Sequence, residues 1–327
     1  MTTVKGFVKS FVKSFVKSAV RRLKGVPPGP PGGAPWFDEP DALTVLDRRR
    51  HRRGYSDLEY ECLRKWVQDG YFVVEGLVPA RDIDDMNRDV DDIWQANVPR
   101  LGLKVSGLKL HRDDSYGDVA HENLLQVQLD RRMQLMREHR WRIHGIIEAS
   151  PPARRVFDSP ALARWLRLIF DRAVPPDHCI TFMFGSEQSL HQDMAVFPIH
   201  PKNWLAGAWI ACEDISPDSG PLVFCPGSHK EPLFPGFSDY PWTYLRTCAK
   251  ELIPAYQAYV DGIAARYPRH TFLARKGDVL FWHGNLFHGG APVTDATLSR
   301  KSFVLHASPP GCDKTVELME RKTPFNW

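Results

Sequence analysis

The sequence has no long hydrophobic run and few cysteines for its length. No stretch of the 327 residues approaches the roughly 20 uninterrupted apolar residues that a bilayer-spanning helix needs. The six cysteines stand far apart without a Cys-x-x-Cys pair, which excludes a dense disulfide framework and favours a reduced, intracellular protein. A lysine interrupts the apolar residues near the N-terminus at every fourth position, so a secretory signal is not expected there.

An excess of positive charge is also missing once the first 25 residues are set apart. The chain has 43 basic and 39 acidic side chains, a net charge of +4. Residues 1–25 hold seven of the bases and no acid, so the rest of the chain carries 36 bases against 39 acids. A mildly acidic body gives no electrostatic case for a nucleic-acid partner. We interpret the basic run at 48–53 as a solvated face.

Residues 1–25 contain a repeat, Phe-Val-Lys-Ser, that occurs three times between positions 7 and 18. On a helix this period places the phenylalanines and valines in one apolar band with the lysines beside it. A basic amphipathic helix of this kind is typical of a peripheral membrane contact, while an organelle transit peptide and a plain terminal extension are alternatives. We expect a cytoplasmic protein at the membrane surface, with a Pro/Gly linker over 26–40 and one domain over 41–327.

The pattern of apolar and turn residues predicts an α+β domain with a mainly β core. A capping box at Ser56 and Glu59 starts the first of the predicted helices, which cover about 57–68, 80–97, 131–148 and 161–170. A strand is predicted at 71–74, and helical support continues to about 177. Short apolar runs separated by turn residues then predict an antiparallel sandwich or barrel over about 178–310, with strands at 179–184, 206–212, 221–225, 271–274, 279–282 and 301–306.

His191 and Asp193 form the most informative short motif. On a strand, residues i and i+2 project to one face, so an imidazole and a carboxylate can be presented together. Two histidines and one carboxylate on one face of an iron ion leave coordination positions open for an organic co-substrate and O₂. A second His-x-Asp, at 111–113, lies in a polar stretch without an apolar strand, and we interpret it as surface.

A second histidine and an anion-binding arginine follow downstream. His288 comes after an apolar strand, and His283 competes with it as the distal ligand. Arg300 and Ser302 share a strand face by the same i, i+2 spacing. An arginine can hold a carboxylate with two hydrogen bonds, and a serine hydroxyl can donate another, which suits a dicarboxylate co-substrate.

The order and spacing of these motifs resemble the phytanoyl-CoA dioxygenase family of iron- and 2-oxoglutarate-dependent oxygenases, over about residues 56–310. The opening 70–76 resembles the family's N-terminal strand. The other matching pieces are His191-Gln192-Asp193, Phe197-Pro198, Ala208-Trp209, Asp218-Ser219-Gly220-Pro221-Leu222, Pro226-Gly227-Ser228-His229-Lys230, Gly277-Asp278, His288-Gly289-Gly290 and Arg300-Lys301.

The resemblance implies a double-stranded β-helix, a jelly-roll barrel supported by N-terminal helices. It implies that His191, Asp193 and His288 bind Fe(II) and that Arg300 clamps 2-oxoglutarate, with Trp209 nearby. It also favours His288 over His283, through the Gly-Gly that follows and the distance to Arg300. Ser302 joins the co-substrate site from strand geometry alone.

The expected activity is therefore hydroxylation of a C–H bond in a small-molecule substrate, with O₂ and 2-oxoglutarate as co-substrates. The residues around Phe197 and the N-terminal tail favour a lipid-like or acyl substrate. One alternative is a membrane-tethered jelly-roll protein that binds a ligand without turnover. Another is a cupin-like metal isomerase or oxygenase that needs no co-substrate, and for that enzyme Arg300 would be dispensable.

Overall fold

The computed structural model describes residues 32–110 and 115–314. The N-terminal repeat, residues 26–31 of the linker and the 111–113 motif lie outside these residues, so the membrane contact stays a prediction. No helix within the described ranges combines the length and apolar composition that crossing a membrane would require.

Helices gather in the first half of the chain, with one long helix in the second half. They are α1 (Ala42–Arg53), α2 (Asp57–Asp69), α3 (Ala80–Asp92), α4 (His121–Leu124), α5 (Leu129–Glu138), α6 (Ile146–Ala149), α7 (Pro151–Phe157), α8 (Pro160–Phe170) and α9 (Leu252–Ala264). The predicted capping box begins α2: the Ser56 hydroxyl accepts from the Glu59 amide, and the Glu59 carboxylate accepts from the Ser56 amide.

Three antiparallel sheets contain the strands. The strands are β1 (Tyr71–Val74), β2 (Lys104–Leu108), β3 (Gly117–Ala120), β4 (Arg142–His144), β5 (Pro176–Phe182), β6 (Ile199–His200), β7 (Ala206–Ala211), β8 (Leu222–Phe224), β9 (His270–Phe272), β10 (Val279–His283), β11 (His288–Gly290), β12 (Ser302–Ala307) and β13 (Asp313–Lys314). The main sheet has the order β1-β10-β7-β12-β5-β4-β2-β3, the minor sheet β11-β8-β9, and the third pairs β13 with β6.

The path of the chain between the main and minor sheets defines the barrel. It runs from β5 in the main sheet to a bridge at His191 beside β11 in the minor sheet, then returns to β7. Strands β8 and β9 belong to the minor sheet, β10 to the main, β11 to the minor and β12 to the main. This winding, with every pairing antiparallel, is the double-stranded β-helix that the resemblance implies, so the α+β fold class is confirmed.

Alternation along the main-sheet strands separates two apolar layers. Phe281 and Phe303 face outward and pack in the same cluster as residues of α2 and α8. Leu280, Trp282 and Val304 face inward, toward the minor sheet. The site described below lies in this inner layer.

The predicted helix over 131–148 is wrong in its second half. Helix α5 ends at Glu138, and Arg142–His144 forms β4 between β5 and β2. Trp141 and Ile143 are buried, so the apolar residues there follow a period of two. Gly145 has φ 76°, a left-handed conformation that interrupts a right-handed helix. The predicted helix over 80–97 likewise ends early, at Asp92, although Ile93 and Trp94 remain buried.

The packed part of the chain begins ahead of residue 41. Trp36–Asp38 forms a 3-10 turn, and the Trp36 indole N–H donates to the Ile169 carbonyl at 2.7 Å. Phe37 is 3% exposed and makes edge contacts with Trp66 and His283. The end of the proline-rich segment is therefore anchored on α2, α8 and the main sheet.

Candidate metal and 2-oxoglutarate site

Backbone pairing at an isolated bridge brings His191 beside His288, which lies on β11 at the edge of the minor sheet. The His191 amide donates to the His288 carbonyl at 2.9 Å, and the His288 amide donates to the His191 carbonyl at 3.1 Å. Their side chains therefore emerge from directly opposed positions, with ring centroids 4.5 Å apart. The two main-chain hydrogen bonds of this bridge set the spacing of the two imidazoles.

Each imidazole is oriented by a carbonyl two residues earlier in the chain. His191 Nδ1 lies 2.9 Å from the Ser189 carbonyl, and His288 Nδ1 lies 3.0 Å from the Leu286 carbonyl. A carbonyl accepts only, so both Nδ1 atoms carry the proton. The Nε2 atoms are then left with a lone pair, the form in which histidine binds a metal.

Asp193 completes the cluster from the start of a short 3-10 turn, Asp193–Ala195. Its Oδ1 atom lies 3.8 Å from His191 Nε2 and 3.6 Å from His288 Nε2. The three ligand atoms fall within 4.8 Å of one another, and all three residues are buried. Two imidazoles and one carboxylate are the donor set of non-haem iron oxygenases, so the residues fit the predicted metal.

The charge state of the cluster also suits a divalent cation. Burial, together with the neighbouring His288, lowers the pKa of His191 to about 4, so this imidazole is neutral at physiological pH. Burial alone would raise the pKa of Asp193, but His288, His306 and His191 outweigh it and hold the pKa below its usual range. The cluster therefore presents an ionised carboxylate next to a neutral imidazole.

Two residues that the sequence did not point to contact the other carboxylate oxygen. Asp193 Oδ2 lies 2.7 Å from the Trp282 indole nitrogen and 3.1 Å from His306 Nε2. Alternation along β12 could have indicated that His306 faces the site, because Ser302 and His306 are four residues apart and so share a face. The common target of Trp282 and His306 is Asp193, which lies in a 3-10 turn far away in the chain, and spacing along the chain does not reveal such a pairing.

Arg300, which precedes β12, and Ser302, its first residue, lie together beside the inner layer. Arg300 is 3% exposed and donates through Nη1 to the Ser302 hydroxyl at 3.0 Å. Its guanidinium carbon is 5.6 Å from the ring centroids of both Phe182 and Trp209. Arg300 Nε and Trp209 Nε1 are buried and have no hydrogen-bond partner among the described residues.

The guanidinium of Arg300 lacks a carboxylate partner within the described parts of the chain. Burial lowers the pKa of Arg300 to about 10, and Glu213 opposes this shift only from a distance. The Glu213 carboxylate itself accepts from the Ser299 hydroxyl and the Lys301 amide. A buried cation beside two unused N–H donors is a cradle for an anion, which the distal carboxylate of 2-oxoglutarate fits.

His283, the alternative distal ligand, points away from this cluster. It is fully buried on the outer face of the main sheet, with Nε2 3.4 Å from the Asp38 carboxylate. The contact joins the N-terminal 3-10 turn to the barrel. Trp204 serves packing as well: its indole N–H donates to the Gly33 carbonyl and its ring stacks on Phe170.

Comparisons with solved structures agree with the fold. The epimerase SnoN from nogalamycin biosynthesis, solved with Fe³⁺, α-ketoglutarate and nogalamycin RO, superposes with a TM-score of 0.52. The match covers 84% of this chain and 87% of SnoN, at 18% sequence identity. At that identity the likeness concerns the fold, a scaffold that in SnoN holds iron and a 2-oxo acid.

Relatives in sequence carry one family name. Peroxisomal phytanoyl-CoA dioxygenase from Homo sapiens is 27% identical over 234 residues, which are 71% of this chain and 63% of the human protein. This chain thus matches less than two thirds of the human enzyme's length. A probable phytanoyl-CoA dioxygenase from Caenorhabditis elegans is 34% identical over 261 residues, 78% of this chain and 77% of the relative.

The family model named phytanoyl-CoA dioxygenase (PhyH) matches residues 66–302. That range includes the barrel strands from β5 to β11 and the first residue of β12, together with His191, Asp193, His288 and Arg300. Proteins of this family are iron- and 2-oxoglutarate-dependent dioxygenases. The chain belongs to the phytanoyl-CoA dioxygenase family.

Proposed function

We propose that the protein is an Fe(II)- and 2-oxoglutarate-dependent dioxygenase that hydroxylates a C–H bond of a small, lipid-like or acyl metabolite. The observation that carries the proposal is the pairing of two sites in one barrel. A buried two-histidine, one-carboxylate cluster lies in the same inner layer as a buried arginine without a carboxylate partner among the described residues. Neither a ligand-binding jelly roll nor a metal isomerase without a co-substrate needs both.

The geometry supports a separate role for each of these residues. His191, Asp193 and His288 hold the iron through the Nε2 and Oδ1 atoms that face one another. Arg300 and Ser302 bind the distal carboxylate of 2-oxoglutarate, and the Trp209 indole offers a further N–H beside it. When bound, the iron supplies oxidative chemistry in which O₂ and 2-oxoglutarate convert a substrate C–H bond into C–OH, with succinate and CO₂ as co-products.

Burial of the site serves this chemistry by excluding water. The three metal-binding side chains are each at most 7% exposed, and Arg300 is 3% exposed. Water is therefore kept from the carboxylate clamp, where it would compete for the guanidinium. The surrounding rings, including Phe182 and Trp209, leave the clamp in a low-dielectric environment in which its attraction for an anion is strong.

The lipid-like substrate rests on two supporting features. The ring of Phe197 lies 4.5 Å from that of His306, next to the metal cluster, so this part of the site has an aromatic wall. The predicted amphipathic segment at 1–25 would bring the enzyme to a membrane. We expect straight-chain or branched acyl compounds to be turned over in preference to polar amino-acid derivatives.

The experiment measures succinate release and O₂ uptake with Fe(II) and 2-oxoglutarate over a panel of acyl, free fatty-acid and polar substrates. An Asp193→Ala variant is the matched control, because it removes one metal ligand and should abolish both signals. Succinate formation that depends on an acyl substrate supports the proposal. Absence of turnover across the panel, combined with tight binding of a panel member, would favour the membrane-tethered binding protein.

The outcome of the oxidation needs a separate measurement, because SnoN, which shares the fold, is an epimerase. We expect product formed under ¹⁸O₂ to gain one labelled oxygen atom, as hydroxylation requires. Product of unchanged mass would assign epimerisation, and loss of two hydrogens would assign desaturation.

A further inference from the structure

Two buried side chains converge on one oxygen of Asp193. The Trp282 indole nitrogen lies 2.7 Å and His306 Nε2 lies 3.1 Å from Oδ2, while Oδ1 faces His191 and His288. Trp282 is 2% exposed and His306 is 4% exposed. The two carboxylate oxygens thus have different surroundings, one among donors and one among the other metal-binding atoms.

The direction of both hydrogen bonds is fixed by chemistry. An indole nitrogen can only donate, and an ionised carboxylate can only accept. His306 must therefore carry its proton on Nε2, which leaves Nδ1 as the atom without a hydrogen-bond partner among the described residues. Oδ2 accepts two hydrogen bonds, which occupy its lone pairs and hold the carboxylate plane in one orientation.

The sheet register explains how the two donors reach the same atom. Gly207 on β7 is the register partner of Trp282 on β10 and of His306 on β12, so the three residues form one row across the main sheet. A Cβ at Gly207 would overlap the Trp282 ring. The absence of a side chain at Gly207 therefore leaves the space in which the indole lies. The register of the row places both donors next to Asp193.

We propose that Trp282 and His306 are positioning residues that restrict Asp193 to metal binding through Oδ1 alone. By engaging Oδ2, they keep the carboxylate from closing on the metal with both oxygens. A coordination position that a bidentate carboxylate would occupy then stays available for the 2-oxo acid. Gly207 supports this arrangement by giving the indole its place. The inference rests on the proposed iron and 2-oxoglutarate site.

The test compares Trp282→Phe, which removes the N–H and keeps an aromatic ring, with His306→Leu and His306→Gln. Glutamine retains an N–H of similar reach, whereas leucine does not. Trp141→Phe is the matched control, because the buried Trp141 indole donates to the Met136 carbonyl away from the metal cluster. For each protein, the apparent melting temperature without metal, the Fe(II) dissociation constant, and the visible charge-transfer band formed anaerobically with 2-oxoglutarate are measured.

We expect Trp282→Phe and His306→Leu each to weaken Fe(II) binding by about 10-fold or more and to weaken or shift the 2-oxoglutarate band. His306→Gln should recover most of the affinity, and Trp141→Phe should match the wild type. Gly207→Ala should reproduce the Trp282→Phe result by displacing the indole. These changes should appear in variants whose metal-free melting temperature shows that they are folded.

Two results would overturn the inference. One is a folded Trp282→Phe and a folded His306→Leu that bind Fe(II) and 2-oxoglutarate as the wild type does. The other is His306→Gln behaving like His306→Leu, which would show that the N–H is not the operative group. Failure of the wild type itself to bind Fe(II) or to give the band would instead contradict the proposed function.

Discussion

Replacing Arg300 by methionine separates a role in co-substrate binding from a role in the fold. Methionine has a similar length and no charge, and it is tolerated in apolar layers such as the one around Phe182 and Trp209. If the Arg300 guanidinium stabilises the fold, the substitution should lower the free energy of unfolding. If the guanidinium serves to bind an anion, its burial destabilises the ligand-free protein, and the substitution should not lower the stability.

The structure gives the size of both effects. Burial lowers the pKa of Arg300 from 12.5 to about 10, which corresponds to about 3 kcal/mol against the charged form. Arg300→Met relieves that cost and loses the hydrogen bond to Ser302, worth roughly 1–3 kcal/mol. The ligand-free variant should therefore be as stable as the wild type or more stable by about 1 kcal/mol, a rise of about 2 °C.

The same substitution should be costly for 2-oxoglutarate. Removing one partner of a buried ion pair costs about 3–5 kcal/mol, so the dissociation constant should rise on the order of 10²- to 10³-fold. Arg300→Lys keeps a charge without the planar pair of donors, and we expect an intermediate loss. Isothermal titration of the Mn²⁺-loaded protein with 2-oxoglutarate measures the affinities, and thermal unfolding measures the stabilities.

Arg132→Met serves as the control for this pair of measurements. Arg132 is also buried, and it donates to the Ala96 carbonyl in the helical part of the chain. The Arg132→Met substitution should leave the 2-oxoglutarate affinity unchanged. A melting temperature for Arg300→Met more than about 5 °C below that of the wild type, with unaltered 2-oxoglutarate binding, would refute the assigned role of Arg300.

Three further predictions concern stability and location. Burial, with the adjacent His283, lowers the pKa of His229 to about 3, so the unfolded state binds the extra proton. Through His229 alone, the free energy of unfolding should therefore fall by about 1.4 kcal/mol for each unit by which the pH drops from 6 to 4, and His191, whose pKa is also lowered, adds to the total fall. Urea titrations at several pH values should show that the free energy of unfolding of His229→Gln falls less steeply from pH 6 to pH 4 than that of the wild type. An equally steep fall would contradict the role of His229. Phe37→Ala should lower the free energy of unfolding by about 3 kcal/mol and leave Fe(II) affinity intact, and a loss below about 1 kcal/mol would contradict the anchoring contact. Deletion of residues 1–25 should abolish sedimentation with anionic vesicles and preserve succinate release, whereas equal sedimentation of both proteins would remove the membrane role.

The parts of the site that sequence could predict are those with a local spacing. His191 with Asp193 and Arg300 with Ser302 are each two residues apart, and the structure places each pair together, although not on one strand: Asp193 begins a 3-10 turn and Arg300 precedes β12. The relation of His288 to His191 depended on motif order, because their pairing spans nearly 100 residues of chain. Their roles as ligands stay part of the proposal until metal binding is measured.

The parts that could not be predicted depend on contacts between distant segments. His306 and Trp282 reach Asp193 through the sheet register, and no local pattern indicates that meeting. Phe37 follows a proline-rich stretch that reads as a linker, yet it is buried against Trp66. Between 131 and 148, neighbouring strands override an apolar spacing that fits a helix.

The backbone bridge between His191 and His288 makes the geometry of the metal cluster independent of the loops that contact the substrate. The spacing of the two imidazoles is set by the two main-chain hydrogen bonds of this bridge and does not depend on the length or sequence of surface connections. Long connections such as 231–251 can therefore diverge without altering the distance between the imidazoles. A scaffold of this kind can acquire new substrates by changing its loops, and the oxidising centre stays the same throughout.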